Sequence, residues 1–135
     1  MDIQLSGEMY WLVLTVGLTG LLWLPYIGNR FKELGPPATH WFPLPDPPPK
    51  AAWAERAVRA HNNAIENLMI FAPLAIVVEV TRSHTALTEL ACAVYFFARL
   101  AHYVVGISGA PIPVRTLAFL VGVACQYALV DRLIF

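Results

Sequence analysis

The sequence predicts an all-α integral membrane fold: a four-helix bundle assembled as a cyclic homotrimer. Three observations carry that reading. The chain of 135 residues is 58% hydrophobic and only 13% charged, with a mean hydropathy of +0.58, a composition suited to lipid rather than water. It holds four apolar stretches of roughly the 20 residues that cross a bilayer, at about 8–28, 62–80, 86–107 and 112–134. Stretches two, three and four also carry more polar side chains than a single thin bundle can satisfy in lipid, which requires subunit interfaces to cover them.

Stretch one, EMYWLVLTVGLTGLLWLPYIG, is too long for a cleaved signal peptide and lacks the basic front and small-residue cleavage site, so it reads as a retained span. Residues 33–53 form a Pro-rich loop, because Pro36, Pro37, Pro43, Pro45 and Pro47 to Pro49 block both helix and sheet ladders. Its Trp41, Phe42 and Trp53 suit the headgroup layer, where amphipathic rings are favoured. The later connections, around TRSHT and GISGAPIP, are short and make neighbouring helices antiparallel. No internal repeat divides the chain, which reads as one domain over residues 1–135.

A formal net charge of zero argues against nucleic acid, whose recognition rests on a basic surface. Cys92 and Cys125 lie in apolar runs without CxxC or Cys/His ligand spacing, so they read as small buried hydrophobes, and no metal site is expected. Arg30, Lys32, Lys50, Arg56 and Arg59 cluster on or beside the first loop and Arg115 follows the third. The opposite side offers Arg82 and Arg132, with acidic Asp2 and Glu8. The positive-inside rule then puts the Pro-rich loop in the cytoplasm and both termini outside, periplasmic or lumenal.

The polarity concentrates in RAHNNAIEN, residues 59–67. On a helix Arg59, Asn63 and Glu66 share one face, with Arg56 one turn earlier. Stretch three carries Arg99, His102 and Tyr103 at i, i+3 and i+4, and stretch four opens on Arg115 and Thr116. Arg99 lies deep in an apolar run, where a charge costs about 2.5–3.5 kcal/mol and is tolerated facing a partner, water or the bundle interior. Glu66 is the partner to test. Simpler roles exist for several of these residues. Arg56 and Arg59 suit anchoring to lipid phosphates, His61 suits a structural hydrogen bond, and His102 suits an interhelical bond or a haem. Glu79, Glu89, Arg82 and His84 suit capping or solvating the outer end.

ERAVRAHNNAIEN, then ARLAHYVVGISGAPIPVRTLAF, resembles the MAPEG family, the membrane-associated proteins in eicosanoid and glutathione metabolism, across all four stretches. The likeness is to a bacterial-type member, akin to the microsomal glutathione transferases and prostaglandin E synthases. It implies a trimer of four-helix protomers, with glutathione between protomers near the cytoplasmic side and a lipophilic substrate entering from the bilayer. Arg59, Asn63 and Glu66 stand where the family's second-helix glutathione ligands stand, with His61 as the motif's structural His. Arg99 and His102 match the third-helix pair, Arg30 a basic ligand ending helix one, and Arg115 with Thr116 an Arg–Ser pair whose Arg is proposed to hold the thiolate. Two departures stand out: Asn62 replaces a common Arg, and Gly106 replaces a tyrosine, for which Tyr103 substitutes only in a rearranged pocket.

The chemistry fits on its own terms. Guanidinium forks pair with the carboxylates of glutathione, while Asn and Glu suit its peptide groups and ammonium. A cation near a thiol favours the thiolate, a role that suits Arg115 with Thr116 as hydroxyl donor. The expected function is a glutathione-dependent membrane transferase or peroxidase acting on a lipophilic electrophile or peroxide. The alternatives are a non-catalytic lipid- or glutathione-binding protein of the same fold, a haem-binding bundle using His61 and His102, and a small multidrug transporter. The last needs a deep carboxylate in helix one that TVGLTGLLWLP lacks.

Overall fold

The computed structural model describes residues 4–37 and 47–135. Asp2, Thr39, Trp41, Phe42, Pro43 and Pro45 lie outside the described residues. Five helices follow in order: α1 (Gly7–Leu21), α2 (Leu24–Leu34), α3 (Ala52–Val80), α4 (Ala86–Ser108) and α5 (Ile112–Ile134). Taken together, α1 and α2 form one segment, Gly7–Leu34, so four helical segments are long and apolar enough to cross a membrane.

The first span is not one continuous helix. Ser6 caps α1 by accepting from the Met9 N–H at 3.2 Å, and the helix runs to Leu21. Pro25, in the first turn of α2, has no N–H and its ring crowds the carbonyl of residue 21, so the helix breaks at Leu22–Trp23. The Leu22 carbonyl is taken by the buried Tyr103 hydroxyl of α4, which donates to it at 2.8 Å. Tyr103→Phe should leave that buried oxygen without the bond and cost about 1–3 kcal/mol, read as a lower unfolding midpoint in detergent. An unchanged midpoint would mean that Leu22 finds another donor.

The second span starts ten residues before its apolar stretch, at Ala52. Ala51 offers no side chain to cap α3; Glu33 of α2 does so instead, accepting from the Lys50 and Ala51 N–H groups at 3.1 and 3.0 Å and from Asn29 Nδ2 at 2.8 Å. Thr85 and Thr88 form a capping box that starts α4. Its end is closed by Gly109, whose φ of 74° suits glycine. Arg56 of α3 reaches across to that same end, donating from Nε and Nη2 to the Ile107 carbonyl at 3.0 Å each. Arg56 is therefore a helix cap, and it turns away from the stripe it shares in sequence with Arg59 and Asn63.

Helix α4 packs against α1, α3 and α5. The main core joins Leu12, Phe71, Ala75, Val78, Cys92, Tyr95, Cys125 and Leu129, with Phe71 and Tyr95 stacked at 3.8 Å between ring centroids. Both cysteines are buried and unbridged, as the apolar setting of each implies. Outward positions such as Val13, Met69, Ile70, Leu90 and Leu120 are exposed, which for a span means contact with lipid or another subunit.

The end of the bundle that the sequence reading places outside differs from its expected reading. Glu8 is 3% exposed rather than a surface charge. It accepts from the Thr88 hydroxyl at 2.5 Å and bonds His84 Nδ1 at 3.1 Å. Glu79 accepts from the Ser6 hydroxyl at 2.5 Å. These side chains tie the start of α1 to the α3–α4 turn instead of merely solvating it.

Candidate functional site

Most of the polar residues that the sequence offers as site candidates fall into two groups. The first lies where α2 meets the start of α3, around a cavity of about 470 Å³ lined by Tyr26, Arg30, Glu33, Lys50, Glu55 and Arg59, among others. Arg30 and Arg59, distant in sequence, line the same space. Arg59 is largely exposed and pairs with Glu55 one turn earlier at 2.5 Å, a contact of small energetic weight at an exposed position. His61 is buried beneath, sharing a 2.9 Å hydrogen bond through Nδ1 with Tyr26 Oη, so it joins α2 to α3.

The second group lies between α3, α4 and α5. Arg99 is buried, and its Nη1 donates to Asn63 Oδ1 at 3.3 Å. Its Nη2 points at the carbonyls of Ala118 and Phe119 in α5, at 3.5 and 3.4 Å. The rings of Tyr95 and Phe119 flank the guanidinium, 5.5 and 5.7 Å from Cζ, within cation–π range. Nε finds no oxygen partner among the described residues. The partner of Arg99 is thus Asn63 and not Glu66, which is exposed one turn further along α3.

These contacts fix the relative heights. Arg99 reaches α3 at Asn63 and α5 at Ala118 and Phe119, and Arg115 precedes these carbonyls by about one turn. His102, one turn from Arg99 on α4, is buried with its ring 6.3 Å from that of Phe119. Arg115 and Thr116 are themselves exposed. Arg59, Glu66, Arg115 and Thr116 therefore stand on the outside of the protomer, within about a turn of the buried Arg99 and His102 and the half-buried Asn63.

Tyr103 joins neither group, since its hydroxyl is held at Leu22. Gly106 is a packing residue: a Cβ there would stand 3.3 Å from the Ala60 Cβ. His61 and His102 face different helices, α2 and α5. Two polar residues with no role in the sequence reading complete the interior. Gln126 Nε2 donates to the Asn67 carbonyl at 3.2 Å, and Asn67 Nδ2 to the Asn63 carbonyl at 2.9 Å. The signal was there in Gln126, an amide inside an otherwise apolar stretch.

Neither a curated protein nor a solved structure matches the chain in sequence and structure comparison. A family-level match does exist, and it agrees with an all-helical protein of four membrane-length segments whose RAHNNAIEN motif supplies Asn63 to a buried Arg. The MAPEG family pattern covers residues 9–135, essentially the whole chain, and the protein belongs to that family of glutathione-related membrane proteins.

Proposed function

We propose that the protein is a glutathione-dependent membrane transferase or peroxidase, working as a cyclic homotrimer with its site between protomers at the cytoplasmic side. The observation that carries this reading is the placement of Arg59, Glu66, Arg115 and Thr116 on the outside of the membrane-length helices. Charges there are costly against lipid and are relieved by a neighbouring subunit and a polar ligand.

The donor set fits glutathione. Arg59 and Arg30 suit its carboxylates, Glu66 its ammonium and Asn63 its peptide or carboxylate oxygens. Arg115 would favour the ionised sulfur and Thr116 would donate a hydroxyl hydrogen bond to it. Glutathione supplies the nucleophilic or reducing sulfur, and the lipophilic electrophile or peroxide would arrive from the bilayer.

A second reading, a binding protein of the same fold without turnover, draws on the helix α4 geometry. Tyr103 is committed to Leu22 and Gly106 carries no side chain, so neither of these two α4 positions brings a phenol to the centre. Calorimetric titration of the detergent-solubilised protein with glutathione, followed by turnover with a lipophilic electrophile and with a lipid peroxide, separates the two readings. Saturable binding with turnover supports the enzyme; binding alone supports the second reading, and no binding overturns the enzyme and leaves the second reading as a lipid-binding protein.

Assembly and orientation are tested separately. Native mass spectrometry should give a trimer, and a monomer or an inverted dimer would reject it. Cysteines introduced at Pro37 and Arg82, both exposed, should react from opposite faces of the membrane. Labelling of position 37 by an impermeant reagent in intact cells would overturn the cytoplasmic assignment.

A further inference from the structure

Arg99 is 2% exposed, and its terminal nitrogens are already directed at protein oxygens: Nη1 at Asn63 Oδ1, 3.3 Å away, and Nη2 at the Ala118 and Phe119 carbonyls. Helix α5 is shaped to admit it. A Cβ at Gly122 would lie 2.6 Å from Arg99 Nη2 and 3.1 Å from Cζ, so any larger residue would push the guanidinium out of this seat. The seat constrains Asn63 in turn. A guanidinium only donates hydrogen bonds, so the atom that Asn63 turns toward it is the carbonyl oxygen. The amide nitrogen is left facing elsewhere, and Asn63 is half-buried on the helix face that also carries the exposed Arg59 and Glu66.

We infer that Arg99 is a positioning residue: seated in the Gly122 notch, it sets the Asn63 amide so that the site meets its ligand with an N–H donor and not a carbonyl acceptor. The ligand group opposite Asn63 is then an oxygen, of a carboxylate or a peptide carbonyl. A ligand with an ammonium or amide N–H at that point is disfavoured, because the carbonyl that would receive it is already turned inward. This inference rests on the glutathione reading above and assigns the polarity of one contact within it.

Asn63→Asp isolates the effect. The carboxylate has nearly the same shape and binds Arg99 at least as well, but it replaces the outward donor by a charged acceptor. In the full-length protein the unfolding midpoint should not fall, while glutathione affinity measured by calorimetry should drop about tenfold or more. Arg99→Lys keeps the charge but loses the fork that spans Asn63 and α5, and should also weaken binding. Its loss should vanish when it is added to Asn63→Asp, since both changes act through one amide; a direct Arg99 contact with glutathione would make the losses multiply.

Asn63→Asp binding within about threefold of wild type, or multiplying losses in the double variant, would overturn the inference. If Arg99→Lys does not fold, Asn63→Asp alone decides. Wild-type protein that does not bind glutathione removes the functional reading, and this inference with it, before any variant is compared.

Discussion

On mixing with glutathione at neutral pH the wild-type protein should develop an ultraviolet thiolate absorbance that Arg115→Ala abolishes, whereas Arg59→Ala should keep the signal and bind less tightly. The contrast follows from where the two cations stand. Arg115 lies about a turn from the α5 carbonyls that hold Arg99. Arg59 lines the cavity on the α2 side with Arg30. A free thiol titrates near pH 8.5, so little of it is ionised at neutral pH unless a nearby cation favours the thiolate. On the proposed reading Arg115 is the cation beside the sulfur, and its removal should change the ionised fraction. Removing one that pairs with a remote carboxylate costs a charge-assisted hydrogen bond, roughly ten- to hundredfold in affinity. A signal that survives Arg115→Ala would assign the sulfur to another cation. Wild-type protein that binds glutathione with no signal at all, and variants that merely bind less, would leave the non-catalytic reading as the better one.

The four spans were legible because bilayer thickness imposes a length and an apolarity that composition displays directly. Their ends and breaks were less so. An apolarity window passes over Pro25, since leucines and tryptophan surround it, although the missing N–H is what breaks the first span at Leu22–Trp23. The same window excludes AWAERAVRAH from the second span, although Ala, Glu and Arg propagate a helix as well as Leu does. For the site, helical spacing placed Arg59, Asn63 and Glu66 on one face, and it placed Arg99 near Tyr103. It could not say what lies opposite each. Arg99 and Tyr103 differ by about 40° of rotation and one turn of height, and that is enough for one to reach α3 and α5 and the other the α1–α2 break. The decisive information sits on other helices: the Gly122 notch admits Arg99, and the Leu22 carbonyl receives Tyr103. Likewise Arg56 reads as a surface cation until the end of α4 is seen beneath it.

Phe71→Ala should destabilise the protein strongly and Leu90→Ala hardly at all. Both substitutions remove a large apolar side chain from a membrane helix. In water the two would be compared by the area each hides from solvent, but lipid tails solvate phenylalanine and leucine about as well as a protein interior does. What remains is packing. Phe71 is fully buried and stacks on Tyr95 at 3.8 Å with an 11° interplanar angle, so its removal opens a hole that lipid cannot enter. At about 24 cal/mol per Å³, a cavity on the order of 100 Å³ costs about 2–3 kcal/mol. Leu90 is 58% exposed on the outer face of α4, where an acyl chain can fill the space left behind, and the change should stay within about 0.5 kcal/mol. The midpoint of unfolding in mild detergent, and better in lipid nanodiscs, reads both. Equal losses would show that the outer face of α4 is packed against protein. The subunit contact would then have to be moved from the polar faces of α3 and α5 to that surface, and the proposed position of the glutathione site would move with it.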